Sequence, residues 1–123
     1  MKQRIIDIFN NNIQVEEERG RTFIHMPIHQ FKDYSPKFVF EIIKDDNGFI
    51  LSDMSNTIRN IQDEDLFSPR IYDTMVELAP EYRLEIGEFG NIVAKFEQIE
   101  HVKYFASYMI QFISVIQYLA KQD

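Results

Sequence analysis

The sequence predicts an α+β domain, an antiparallel sheet of about five strands packed on a long C-terminal helix. Three observations predict it. Two alternating stretches fold back on turn signals, at Asp45-Asp46-Asn47-Gly48 and at Gly87-Glu88-Phe89-Gly90. The run from Val102 to Ala120 carries its apolar residues at helical spacing. A chain of 123 residues that is 45% apolar, with four Gly and four Pro, suits one ordered core and a single domain over 1–123.

Near the start, Ile5, Ile6, Phe9 and Ile13 recur at helical spacing and predict a short amphipathic helix ending near Asn10-Asn11-Asn12. The apolar stretch is too short for a signal peptide. Arg21 to Ile28 alternates, with Ile24, Met26 and Ile28 on one face and Phe23 and His25 on the other. Pro27 lacks an N–H, so this strand is expected at an edge or to lose its pairing early. Lys37 to Lys44 puts Phe38, Phe40 and Ile42 on one face and Val39, Glu41 and Ile43 on the other. Asn47-Gly48 tolerates the positive φ angles of a type I′ turn and closes a hairpin onto Phe49, Ile50 and Leu51.

After Met54 the period changes. A helix capped by Asp53 or Ser55 carries Ile58 and Ile61 and ends at Asp63-Glu64-Asp65. A second begins at Ser68 as N-cap with Pro69 in the first helical position, where its missing N–H costs nothing, and stops at Pro80. Tyr82, Leu84 and Ile86 then alternate, and Ile92, Ala94 and Phe96 alternate back. The order is helix, three strands, two helices, two strands, helix. In the last helix, Val102, Phe105, Met109, Phe112, Ile113, Ile116 and Leu119 form an apolar stripe. Glu100, Lys103, Ser107, Gln111, Ser114 and Lys121 form a polar one. A membrane span has no use for that polar stripe, so the helix is read as core-forming.

Thirteen Lys and Arg against twenty Asp and Glu leave a net charge of −7. That balance speaks against direct nucleic-acid binding, which needs a cationic footprint. With no Cys, disulfide scaffolds, thiol catalysis and cysteine-ligated metals are excluded. His25 and His29 are spaced as a helical zinc pair, but Pro27 blocks that helix, and on a strand they stand about 13 Å apart. His101 lies beside Glu97 and Glu100, a pattern of capping or solvation. No metal or cofactor site is therefore expected. Asp53, between a strand and a helix, is read first as an N-terminal cap and second as a catalytic or ligand carboxylate. Gly87 and Gly90 lack the Lys-Ser or Lys-Thr of a phosphate loop, and no nucleophile elbow occurs. A non-enzyme is the expectation.

Surface features remain. Acidic clusters stand at Glu16-Glu17-Glu18, Asp45-Asp46 and Asp63-Glu64-Asp65, in expected loops or helix ends. They serve either as solvation or as a steering field for a basic partner. Tyr104, Tyr108, Val115 and Tyr118 make a second stripe on the last helix. It either packs under the N-terminal helix or forms a dimer or partner interface, with Tyr104, Tyr108 and Tyr118 as contacts.

Met26-Pro27, Phe38-Val39-Phe40-Glu41-Ile42-Ile43 and Gly48-Phe49-Ile50-Leu51-Ser52-Asp53 followed by Thr57-Ile58 resemble a bacterial and prophage family, domain of unknown function eighteen twenty-eight. The likeness covers about residues 22–120. The chain departs from the pattern at Met54-Ser55, where a further Asp or Gly is expected. The resemblance implies an intracellular, mobile-element-associated protein and carries no reaction. Together these readings point to a cytoplasmic, non-enzymatic interaction protein that inhibits a host defence nuclease or a toxin through its acidic clusters. A peptide-binding, dimeric secretion-type chaperone is the alternative, and a small metal-dependent hydrolase built on Asp53 the third.

Overall fold

A computed structural model describes residues 1–29 and 37–122. The side chains at 27–29 lie outside the described residues, and with them the readings of Ile28 and His29. The elements run α1 (Lys2–Ile8), β1 (Gln14–Glu18), β2 (Arg21–His29), β3 (Lys37–Asp45), β4 (Gly48–Ser52), α2 (Asn56–Asp63), α3 (Pro69–Leu78), β5 (Glu85–Ile86), β6 (Ile92–Phe96) and α4 (Val102–Gln122). Short 3-10 turns occupy Ala79–Tyr82 and Ile99–His101. The α+β class and the long C-terminal helix are as the sequence predicts.

One antiparallel sheet holds six strands in the order β1-β2-β3-β4-β6-β5. The additional strand is β1, which pairs Gln14–Glu18 with Arg21–His25 across an Arg19-Gly20 turn whose residues both have positive φ. Glu16-Glu17-Glu18 therefore belongs to an edge strand, and the expectation of a loop is corrected. Its inward residue Val15 is buried while its glutamates stay exposed, and a charged edge discourages pairing with further chains. Of the two expectations for β2, the edge position is corrected, because β1 lies outside it, and the early end of its pairing is met. Pro27 falls past the last β1 pair, His25 with Gln14, and inside an irregular stretch of the β2–β3 ladder.

The β3–β4 hairpin forms, with its turn one residue earlier than expected. Asp45 pairs with Gly48, so the central residues are Asp46 and Asn47, and neither has positive φ. Asp45 Oδ1 accepts from the Asn47 N–H at 2.9 Å. Asp at the first position and Gly at the fourth are the preferences of a type I turn, not type I′. Gly48 has φ +147°, and a Cβ there would stand 2.4 Å from the Phe96 carbonyl oxygen, so the approach of β6 demands glycine.

α1 ends at Ile8, just before the expected Asn10-Asn11-Asn12, because Asn10 and Asn11 turn left-handed. Tyr82 sits in a 3-10 turn, which leaves β5 with two residues. The Ser68 side chain accepts from the Ile71 N–H and caps α3 as its sequence predicts. The core lies between the inward face of the sheet and α4. Ile24, Phe38, Phe40, Ile42, Leu51 and Ala94 meet Val102, Ala106, Met109, Phe112, Ile113 and Ile116, all buried. Among the described residues, no helix is long and apolar enough to cross a membrane.

Candidate functional site

Side chains alternate across a sheet, so the residues facing away from α4 can be read from the register. One outward row runs Glu16, Phe23, Glu41, Ser52, Val93 and Glu85 across all six strands. The next holds Ile43, Ile50 and Lys95, with Glu18 and Arg21 at its β1–β2 end. On the other side stand Gln14, His25 and Val39. Within the described residues this face is open: Ile43 is 40% exposed, and Phe23, Val39 and Ile50 are partly exposed. Four apolar side chains thus stand on the outer face, around the nearly buried Glu41.

Charges stand among and around these apolar side chains, and Arg21, His25 and Lys95 each have an acidic partner. Arg21 binds Glu41 in a fork, Nε to Oε2 at 2.7 Å and Nη2 to Oε1 at 2.9 Å, with its guanidinium 4.9 Å from the Phe23 ring centre. The Glu41 hydrogen bonds and charge hold the Arg21 pKa up. His25 lies 2.9 Å from Glu16, and Lys95 lies 3.4 Å from Glu85. Glu18 and the outward Asp45 add negative charge at the same end of the sheet, with Asp46 beside them in the turn. A cavity of about 400 Å³ opens there, lined by Asp45, Asn47, Phe49, Ile50, Lys95, Phe96 and Glu97.

The predicted contact residues do not form one surface. Glu16, Glu18, Asp45 and Asp46 border the outer face, whereas Glu17 points with Val15 to the opposite side. Asp63-Glu64-Asp65 ends α2, away from the sheet. Tyr104 and Tyr118 are 58% and 63% exposed on α4, so α1 does not bury them. Tyr108 is half-buried, its ring edge-on to Phe105 at 5.7 Å. The apolar patch of Phe23, Val39, Ile43 and Ile50 was missed as a site. The signal was present in the outward halves of the alternating strands, which turns of period two display as clearly as the core halves.

Among the described residues Asp53 is the one deeply buried carboxylate, at 1% exposure. Its Oδ1 accepts from the N–H groups of Ser55 at 2.9 Å and Ile92 at 2.8 Å, and its Oδ2 from Thr57 at 3.2 Å. The Asp53 N–H donates in turn to the Ile92 carbonyl at 3.1 Å. Met54 and Ser55 both adopt left-handed φ, which wraps the chain around the carboxylate. Asp53 therefore caps α2 and ties it to β6. Burial pushes its carboxyl up. The Ile92 N–H, the Thr57 side chain and N–H, and the Ser55 N–H pull the other way. The Thr57 hydroxyl lies beside the carboxylate, yet makes no hydrogen bond of standard geometry. With both oxygens engaged, Asp53 has no free side to offer a substrate.

Among the described residues, no three of His, Asp and Glu gather closely enough to hold a metal ion. Comparison with protein-family models, curated proteins and solved structures finds no match. The candidate site accordingly rests on its own geometry: an open apolar sheet face with an acidic border.

Proposed function

We propose that this chain is a non-enzymatic protein-binding module and that the outer face of its sheet is the working surface. The observation that carries the reading is the group Phe23, Val39, Ile43 and Ile50, exposed or partly exposed on β2, β3 and β4 within an acidic frame. Apolar centres with polar rims are the anatomy of protein interfaces, and exposed apolar patches on small domains mark contact sites. The frame selects the partner. Among the described residues its cations Arg21, His25 and Lys95 are paired with Glu41, Glu16 and Glu85, Glu18 also faces Arg21, and Asp45 and Asp46 add further negative charge. A partner with an apolar knob ringed by Lys and Arg fits, as does the nucleic-acid-binding surface of a nuclease or toxin, which such a module would occlude. The acidic field speeds encounter and the apolar side chains supply affinity.

Affinity capture from the source organism tests this, using the wild-type chain and Ile43→Lys as baits. Ile43 is exposed, so the substitution leaves the fold intact. The expected result is a folded, basic protein retained by the wild type, released by salt and missed by Ile43→Lys. Equal retention by both baits would remove the outer face from the account. Retention of an unfolded peptide would favour the chaperone reading of the same face.

A further inference from the structure

On α4, the side opposite the core carries Tyr104, Tyr108, Gln111, Val115, Tyr118 and Gln122, spaced alternately by four and three residues. That is the spacing of a heptad seam, which fits a second helix. Between Tyr104 and Ala120 there is no Asp, Glu, Lys or Arg, on a chain whose net charge is −7. A solvent-facing helix side of about four turns without a charge is where two copies of an acidic protein can meet without repulsion.

The seam also mirrors itself. Reversed about Gln111, Tyr104 falls on Tyr118 and Tyr108 on Ser114, next to Val115, while Gln111 meets its own copy, whose amide can both donate and accept. At the Tyr104 end lies a cavity of about 220 Å³ walled by Arg83, His101, Tyr104, Phe105 and Tyr108. Its aromatic wall is continuous with the core, Phe105 stacking on Phe96 at 5.0 Å and Phe96 on Phe49 at 5.8 Å. At the other end stands the most exposed tyrosine of the seam, Tyr118.

We propose that two copies of this chain associate antiparallel through α4, the Tyr118 ring of each filling the Arg83–His101–Tyr108 cavity of the other. A twofold axis at Gln111 makes the contact isologous and closed, so it yields a dimer and not a filament. The Tyr118 hydroxyl arrives where Arg83 can donate to it, and the ring meets aromatic walls. Because α4 covers the inward side of the sheet, this dimer leaves both outer faces open. The inference does not depend on the function proposed above.

Sedimentation equilibrium on the full chain is the first test, and a dimer that dissociates on dilution is expected. Tyr118→Lys should weaken it roughly thirtyfold, the size of an interface hot spot, with an unchanged unfolding midpoint. The absence of cysteine makes cross-linking clean. Gln111→Cys should oxidise to a covalent dimer. Tyr104→Cys and Tyr118→Cys should each form no disulfide alone and cross-link when mixed. A wild type that remains monomeric at every concentration overturns the proposal, and so does self-linking of Tyr118→Cys, which requires parallel helices.

Discussion

Removing the Asp53 carboxylate should unfasten α2 from β6. In Asp53→Ala the N–H groups of Ser55, Thr57 and Ile92 lose an acceptor that now stands 2.8–3.2 Å away. Each buried donor left unsatisfied costs about 1–3 kcal/mol, and partial access of water at half-exposed Ser55 relieves some of it, so the total is about 3–5 kcal/mol. Domains of this size have a net stability of about 5–15 kcal/mol, so the variant should be close to unfolding. Asp53→Asn is the finer probe. Its amide oxygen can still serve Ser55 and Ile92, but its NH2 group confronts the Thr57 N–H, a loss of about 1–3 kcal/mol.

The pH dependence separates charge from geometry in the same pair of proteins. Burial raises the Asp53 carboxyl above its ordinary value of 3.8. Between 3.8 and the higher folded value, the folded state therefore holds more protons than the unfolded chain. Stability contributed by this group is full below that window and is lost as pH rises through it. Asp53→Asn lacks the slope, so the wild type should lead by most in acid and by less near neutrality. Urea unfolding followed by circular dichroism across acid to neutral pH measures this, and other carboxylates cancel in the difference. An Ala variant within about 0.5 kcal/mol of wild type, the range of neutral surface changes, would refute the capping role. A lead that grows with pH would refute the direction of the shift.

Three further outcomes follow from the packing. Phe112→Ala, at a fully buried position of α4 against Tyr82, should cost about 3–5 kcal/mol in urea unfolding. Gly48→Ala forces a Cβ against the Phe96 carbonyl at a left-handed φ and should cost about 1–3 kcal/mol, read as a lowered Tm. Arg21→Ala leaves the nearly buried Glu41 without its cation, so its Tm should fall, and adding Glu41→Gln should restore part of the loss.

Much of the fold was legible because its signals are local. Alternation in β2 and β3 separates Ile24, Phe38, Phe40 and Ile42 from Phe23, Val39 and Ile43, and burial follows that division. Ser68-Pro69 starts α3, and the stripe through Met109, Phe112 and Ile116 faces the core. What escaped has short or distant causes. Only Val15 of β1 points inward and is buried, so its outward-facing glutamates read as a loop. One residue separates a type I from a type I′ turn at Asp45–Gly48. The Asp53 cap on the Ser55 side was visible in the sequence. Its bond to Ile92, thirty-nine residues on, was not, because only the β4–β6 pairing brings the two together. The candidate site was legible only in its acidic border, since the outward apolar residues of a strand look like ordinary alternation until the open face is seen.

The account turns on where a partner touches the chain. Amide and methyl chemical-shift mapping of the isotopically labelled protein, titrated with the captured partner, reads this directly. The account predicts that Phe23, Val39, Ile43, Ile50 and Lys95 shift together, while Ile58, Ile61 and Met75 on the helices stay still. Shifts centred on α2 and α3, with the outer sheet face unmoved, would contradict it.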